Sequence, residues 1–406
     1  MRLPSGPRRP VRRPLFCPRK ECPYHDPEAA RKAEWFTDHG EFFTFARGEI
    51  KRFRCVLCGK TCSTQTFSID YWTHGEFDYT ELLRALDTGA GLRHTGRYTQ
   101  VSYRLVQNRV RRMARNCLAV MDAALSEAKL RESLALDGLE SYLRSQYFPC
   151  SITDVVGSDS QFIYATVLTT LPRKGQMTAL QRVRRAMIDA LWRPPAGATT
   201  SDCASLLGDL APLISEASEV LPAMTLYSDL HTAYPLALAR VKPLAEALKS
   251  GRLHHVRIPS KAPRTTANPL FPVNYVDRQM RKNMSEHGRE TVKQARESNC
   301  AMERKAIFIT LHNYLTPHRV SDHAISDSEP THAQVAGHTS RRVMRLLREM
   351  TTRRHVFTHL RGEQEWIRRI WQHEYTNPPA VNFKTGVESK CVIALQSDQM
   401  PEHFLA

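Results

Sequence analysis

Three groups of residues have types and spacings that could do chemistry. The first is Cys17-x4-Cys22 followed by Cys55-x2-Cys58. Two knuckles would bring four soft thiolates together, a donor set that suits a structural Zn2+. Such a closed site leaves no open position, so its role would be folding. His25 and Cys62 are close enough in sequence to replace one ligand, and buried free thiols are the alternative. The second group is Asp137, Asp229 and Asp277. Asp137 and Asp229 each end a short apolar run, and Asp277 enters a helix. Carboxylates on rigid elements can hold two Mg2+ or Mn2+ ions about 4 Å apart, one activating an attacking oxygen and the other stabilising a leaving oxygen. Taken singly, each such Asp is more often a turn or helix-cap residue. The third group is cationic. Arg104, Arg109, Arg111, Arg112 and Arg115 surround one helical segment, and Arg278 and Arg281 lie three apart beside Asp277. Both sets could meet phosphates.

These residues need elements to position them. Residues 1–14 read as a disordered basic arm. Residues 15–72 hold the clustered cysteines, with short strands at Phe42–Phe45 and Lys51–Arg54 leading to the knuckles. Residues 78–116 read as two helices broken at Gly89-Ala90-Gly91, the second basic and apolar at Val106, Val110 and Met113, which fits a helix-turn-helix. From 130 to 320 strands come first and then alternate with helices. The strands are a run ending at Asp137, a hairpin turning at Gly157-Ser158-Asp159, one ending at Asp229, and His254–Ile258. The helices are Thr178–Trp192, His231–Lys249, Asn274–His287 and Glu290–Tyr314. That order predicts a mixed α/β core. Residues 321–406 read as a mostly helical extension in which Trp366 and Trp371 form a small apolar cluster, an oligomer contact being one use for it.

Composition narrows the partners. The chain has 406 residues, 41% hydrophobic, and a net charge of +17. An excess of Lys and Arg points to an anionic polymer or surface. No apolar run is long enough to span a bilayer, so double-stranded DNA is expected and a membrane is not. The N-terminus lacks the apolar stretch of a signal peptide, which predicts a cytoplasmic protein, nucleoid-associated when bound to DNA. The scattered cysteines read as ordinary reduced thiols. A protein acting on RNA is a weaker reading, because no exposed aromatic platform is evident.

Several stretches resemble bacterial insertion-sequence transposases, nearest to the IS1-like group. They are Arg52-Phe-Arg-Cys55-Val-Leu-Cys58-Gly-Lys-Thr61, Asp137-Gly-Leu-Glu140, Ser145-Gln-Tyr147, Gly175-Gln-Met177-Thr178, Ser228-Asp229-Leu-His231-Thr-Ala-Tyr234, and Val276-Asp277-Arg278 through Asn313-Tyr314. Coverage is about residues 15–320. The resemblance implies a zinc ribbon, a helix-turn-helix and a ribonuclease-H-like core with Asp137, Asp229 and Asp277 as the DDE-type catalytic acids. It implies binding to the element's terminal inverted repeats, metal-dependent strand cleavage and transfer to target DNA, and a homo-oligomer on DNA. Asp277 stands where the family more often has Glu, with Glu286 and Glu290 as alternatives and Glu140 as an auxiliary acid. Cys62 replaces a usual Phe. The competing expectation is a non-catalytic DNA-binding regulator or a decayed transposase.

Overall fold

A computed structural model describes residues 13–45, 47–221, 224–288, 291, 293–319, 329–355, 363–381, 383 and 388–389. All but the last two residues of the expected basic arm lie outside the described residues, as does Glu290.

The N-terminal module is small. Helix α1 (Pro27–Arg31) precedes three antiparallel strands, β1 (Phe36–Thr44), β2 (Gly48–Cys55) and β3 (Thr61–Ser63), in the order β1-β2-β3. The expected strands are present, and β1 is longer than its aromatic run. The module has its own core, in which Phe16, Trp35, Phe53 and Phe67 pack around the buried cysteines.

Three helices follow: α2 (Tyr79–Asp87), α3 (Leu92–Tyr98) and α4 (Tyr103–Ser126). The expected pair is therefore three. Asp78 starts α2 by accepting from the Thr80 and Glu81 amides. Gly96 lets α3 lie against the start of α4, because a Cβ there would sit 2.8 Å from the Val101 carbonyl oxygen. Helix α4 runs ten residues past the expected end, and from Met113 to Leu125 every residue is buried.

A five-stranded sheet forms the larger core. Its strands are β4 (Leu134–Tyr142), β5 (Pro149–Gly157), β6 (Ile163–Thr170), β7 (Met224–Asp229) and β8 (Leu253–Ile258), in the order β6-β5-β4-β7-β8. Strand β5 runs antiparallel to both neighbours, whereas β4, β7 and β8 are mutually parallel. The hairpin turn is where the sequence predicts it. Buried Glu132 fixes it by accepting from the Asp159 and Ser160 amides, each at 2.8 Å, and from the Tyr164 hydroxyl at 3.1 Å.

Helices α5 (Ala179–Leu191) and α6 (Ala198–Val220) cross from β6 to β7. The sequence reading has no helix at α6, which contains Pro212. The expected helix at 231–249 is two, α7 (Ala233–Arg240) and α8 (Lys242–Lys249), parted where Pro243 enters the first turn of α8. Then come α9 (Phe271–Asn283) and α10 (Ser298–Tyr314). The last starts eight residues later than expected. Asn313 on α10 clamps edge strand β6 through both the amide and the carbonyl of Ile163, at 2.9 and 3.0 Å.

The C-terminal part holds α11 (His332–Ala336), α12 (Arg341–Glu349) and α13 (Glu365–Trp371). It is not a separate cluster. Trp366 and Trp371 are buried in the same hydrophobic core as the sheet and α4, so the small apolar cluster expected around them is part of that core. Asp209 on α6 caps α13 through the Glu365 and Trp366 amides. The chain is thus multidomain with two cores, and the larger one spans the segments expected at 78–116, 130–320 and 321–406.

Glu132→Ala leaves the two turn amides and the Tyr164 hydroxyl without their acceptor. Urea unfolding should show a loss of about 3 kcal/mol or more, and less for Glu132→Gln, which keeps an acceptor. A change below about 0.5 kcal/mol in the alanine variant would show that the turn is held by other contacts.

Candidate functional site

The four cysteines meet. Their sulfurs all lie within 4.8 Å of one another, and among the described residues no other group of three or more potential ligands does so. Cys17 and Cys58 are 3.4 Å apart and Cys22 and Cys55 3.8 Å. A tetrahedral Zn2+ with bonds of about 2.3 Å sets sulfur–sulfur edges of roughly 3.8 Å, so the set fits a structural metal such as zinc. His25 is not in the set, because its Nδ1 hydrogen-bonds the Cys17 carbonyl at 2.8 Å. Neither is Cys62. It sits on β3 opposite Phe53, where burial pushes its thiol up to about 12.

The carboxylates come from three elements. Asp137 and Asp229 lie one residue beyond the last paired position of adjacent parallel strands, Leu136 with Ser228. Asp277 reaches toward them from α9, which packs on β4 and β5. Buried Tyr234 on α7 stands among all three. Burial and the charges of Asp137, Asp229 and Asp277 raise its pKa. Burial, then the charge of Asp229, lifts Asp137 to about 6, against the help of the Gly138 amide. Burial, then Asp154 and Asp137, hold Asp277 well above the usual carboxylate range. One oxygen of Asp277 is buried with no hydrogen-bond partner. With like charges facing one another, the three do not close into a group as tight as the cysteines. Asp229 also does an ordinary local job, as its Oδ1 accepts from the His231 amide at 2.7 Å.

The remaining candidate acids separate. Glu140 lies three residues after Asp137 on a strand rather than a helix, so it faces away from Asp137 and is exposed. Glu286 is buried in an ion pair with Arg304 at 2.9 Å. Two residues of this region escape the sequence reading, Asp154 and Lys305. Asp154 is the register partner of Asp137 on β5, and Lys305 on α10 meets it at 2.7 Å, both fully buried. A lone charge inside the apolar run Ser151–Val156 is the signal that could have found Asp154, whereas Lys305 sits in the charged triplet Glu303-Arg304-Lys305 and has no such local mark.

The arginine set needs correction. Arg104 is exposed at the start of α4. Arg109 is buried, paired with Asp70 at 3.4 Å and lying over the Phe77 ring. Arg111 pairs with Glu303 at 3.6 Å, Arg112 donates to the Ile69 carbonyl at 3.0 Å, and Arg115 is buried over Trp371. These four hold α4 to its neighbours, because the helix runs on into the core. Exposed positions on α3 and the first turns of α4 offer a different polar surface: Arg93, Arg97, Tyr98, Tyr103, Arg104 and Asn108. Arg278 is exposed, and half-buried Arg281 donates to the His287 carbonyl at 3.3 Å. Exposed aromatics do exist, contrary to the sequence reading. Phe43 and Phe45 near the end of β1 are 74% and 102% exposed. Glu41 and Glu49 share the strand face of Phe43 and would repel a phosphate backbone.

No protein-family model and no curated protein matches the chain. No helix among the described residues is long and apolar enough to cross a membrane.

Two measurements follow from these sites. Purified protein should carry about one tightly held zinc per chain. Cys55→Ser should lose it and Cys62→Ser keep it, so equal metal content in the two variants would refute the assignment. For Asp137, the folded chain binds the proton more tightly than the unfolded chain, because its pKa is raised from 3.8 to about 6. Its contribution is neutral below about pH 4, turns unfavourable as pH rises to about 6, and stays so above. Asp137→Asn should therefore be neutral in acid and stabilising by roughly 1–3 kcal/mol above about pH 6, in denaturant unfolding without divalent metal. A pH-independent difference would place Asp137 in a more open setting.

Proposed function

We propose that the chain is a transposase of the DDE type, which cuts DNA at the ends of its element and joins them to a target. The observation that carries this reading is that Asp137 within β4 and Asp229 at the end of the adjacent parallel β7 stand side by side, while Asp277, on a helix packed on β4 and β5, bears on Asp137. The strand order, with β5 alone reversed among the first four in space, is what a ribonuclease-H-like core has, and it supports the resemblance in the acidic segments. The unpartnered buried oxygen of Asp277 and the raised Asp137 are what a carboxylate site prepared for cations would have.

When bound, two Mg2+ or Mn2+ ions would supply an activated attacking oxygen and a stabilised leaving oxygen. The protein's own part is positioning. Asp137, Asp229 and Asp277 are the residues that would hold the ions. Arg278 stands exposed one residue from Asp277, where it can meet a phosphate. The helix-turn-helix in this reading is α3 and the start of α4. Gly96 permits the close turn, and Tyr103, Arg104 and Asn108 enter the groove. The cysteine module is then a zinc ribbon that helps bind the terminal repeats. Two ends must be held together, so a homo-oligomer on DNA belongs to this reading.

A DNA-binding regulator or decayed transposase is the second reading, and one observation favours it. Asp229 already caps the turn after β7, a sufficient reason for an Asp there. Incubating labelled element-end DNA with Mg2+ or Mn2+ separates the two. Wild type is expected to nick it, and Asp229→Ala and Asp277→Asn to bind equally but cut at least a hundredfold more slowly. Binding without cleavage by wild type in either metal would leave the regulator.

A further inference from the structure

The Asp154–Lys305 pair lies beside the proposed metal site but has no place in it. Its position is unusual. Both side chains are fully buried, at 0% exposure, and their bond is 2.7 Å. Asp154 lies directly opposite Asp137 across the β4–β5 ladder, so the two share a face of the sheet. Lys305 makes a second contact, donating to the Met280 sulfur at 3.0 Å. Met280 is three residues after Asp277 on α9, and therefore on the same side of that helix. One ammonium thus joins β5, α9 and α10 at the level of the carboxylates.

We propose that Lys305 is a positioning residue that staples α9 to β5 and so sets where Asp277 stands relative to Asp137. This rests on the two-metal reading above. Three observations support it. A buried ion pair is a poor source of net stability, because desolvation offsets its attraction, so its presence calls for another role. Asp154 is the carboxylate that bears most on Asp277, more than Asp137, so an unbalanced Asp154 would push Asp277 out of place. The ammonium offsets that repulsion from the far side. Finally, one oxygen each of Asp154 and Asp277 is buried without a hydrogen-bond partner, which leaves Asp277 held by its backbone and its charged neighbours. Those neighbours are Asp137 on β4, Asp154 on β5, Lys305 on α10 and Arg281 on α9.

The test counts Mn2+ ions bound by zinc-loaded protein, by electron paramagnetic resonance, without DNA. Wild type is expected to bind two and Asp277→Asn one. Lys305→Met should also bind one, its second affinity falling at least tenfold. Asp154→Asn, which keeps an acceptor for Lys305, should retain both. Lys305→Met leaves a buried unpaired charge and could unfold, so Asp154→Asn/Lys305→Met is made too. That variant removes the staple without stranding a charge and should fold while binding one ion. A folded double variant that binds two ions with wild-type affinity overturns the proposal. Wild type that binds no Mn2+ overturns the two-metal reading, and this inference with it.

Discussion

Like charges set the central constraint on this fold. The sheet register places Asp137 beside Asp229 on one side and opposite Asp154 on the other, and α9 adds Asp277 from above. Four carboxylates in a largely buried space cannot all stay ionised without compensation. The described residues supply one cation fully inside, Lys305, with Arg281 and the exposed Arg264 acting on Asp277 and Asp137 from the margin. Asp137 and Asp277 respond by holding protons more tightly than usual. Helix α10, buried along nearly its whole length with its apolar residues in the main core, carries Lys305 to Asp154.

The second constraint is anchorage. The C-terminal segment does not hang from the core but closes it. Asn116 of α4 donates to the Met350 and Arg353 carbonyls at 2.6 and 2.7 Å and accepts from the His355 amide at 3.1 Å. The same segment reaches the end of the cysteine module, where the Ile69 amide donates to the Thr352 carbonyl at 3.1 Å. A histidine set does similar work at the hairpin turn, with His318, His332 and His312 hydrogen-bonded to the Asp159, Ser160 and Gln161 carbonyls in succession. Burial lowers the pKa of His312 and His332, which keeps both neutral.

Local signals made part of this legible in the sequence. The cysteine spacing gave the thiol group and the apolar run ending on Asp229 gave a strand end, because both patterns are contained within a few residues; Asp137, expected to end its strand, lies inside it, since β4 continues to Tyr142 in its pairing with β5. What was not legible depended on contacts far apart in the chain. Helix α6 was assigned no element, and its apolar positions gain meaning only where they pack on β6 and α7. Asp154 and Lys305 lie 151 residues apart and acquire meaning only when paired. Glu140 was misplaced because helical spacing was applied to a residue on a strand.

The arginines show why net charge is an incomplete guide to partners. A charge of +17 suggests a broad phosphate-binding surface. Yet Arg109, Arg111 and Arg304 are engaged with Asp70, Glu303 and Glu286, while Arg115 and Arg354 lie buried over aromatic rings. Burial drives the last two to about 10 and about 9, so these cations are held at a cost and neutralise nothing outside. The exposed cations that remain lie on several elements, among them Lys51, Arg52 and Arg54 on β2, Arg93, Arg97 and Arg104 on α3 and α4, and Arg257 on β8, so the net charge by itself singles out no one face.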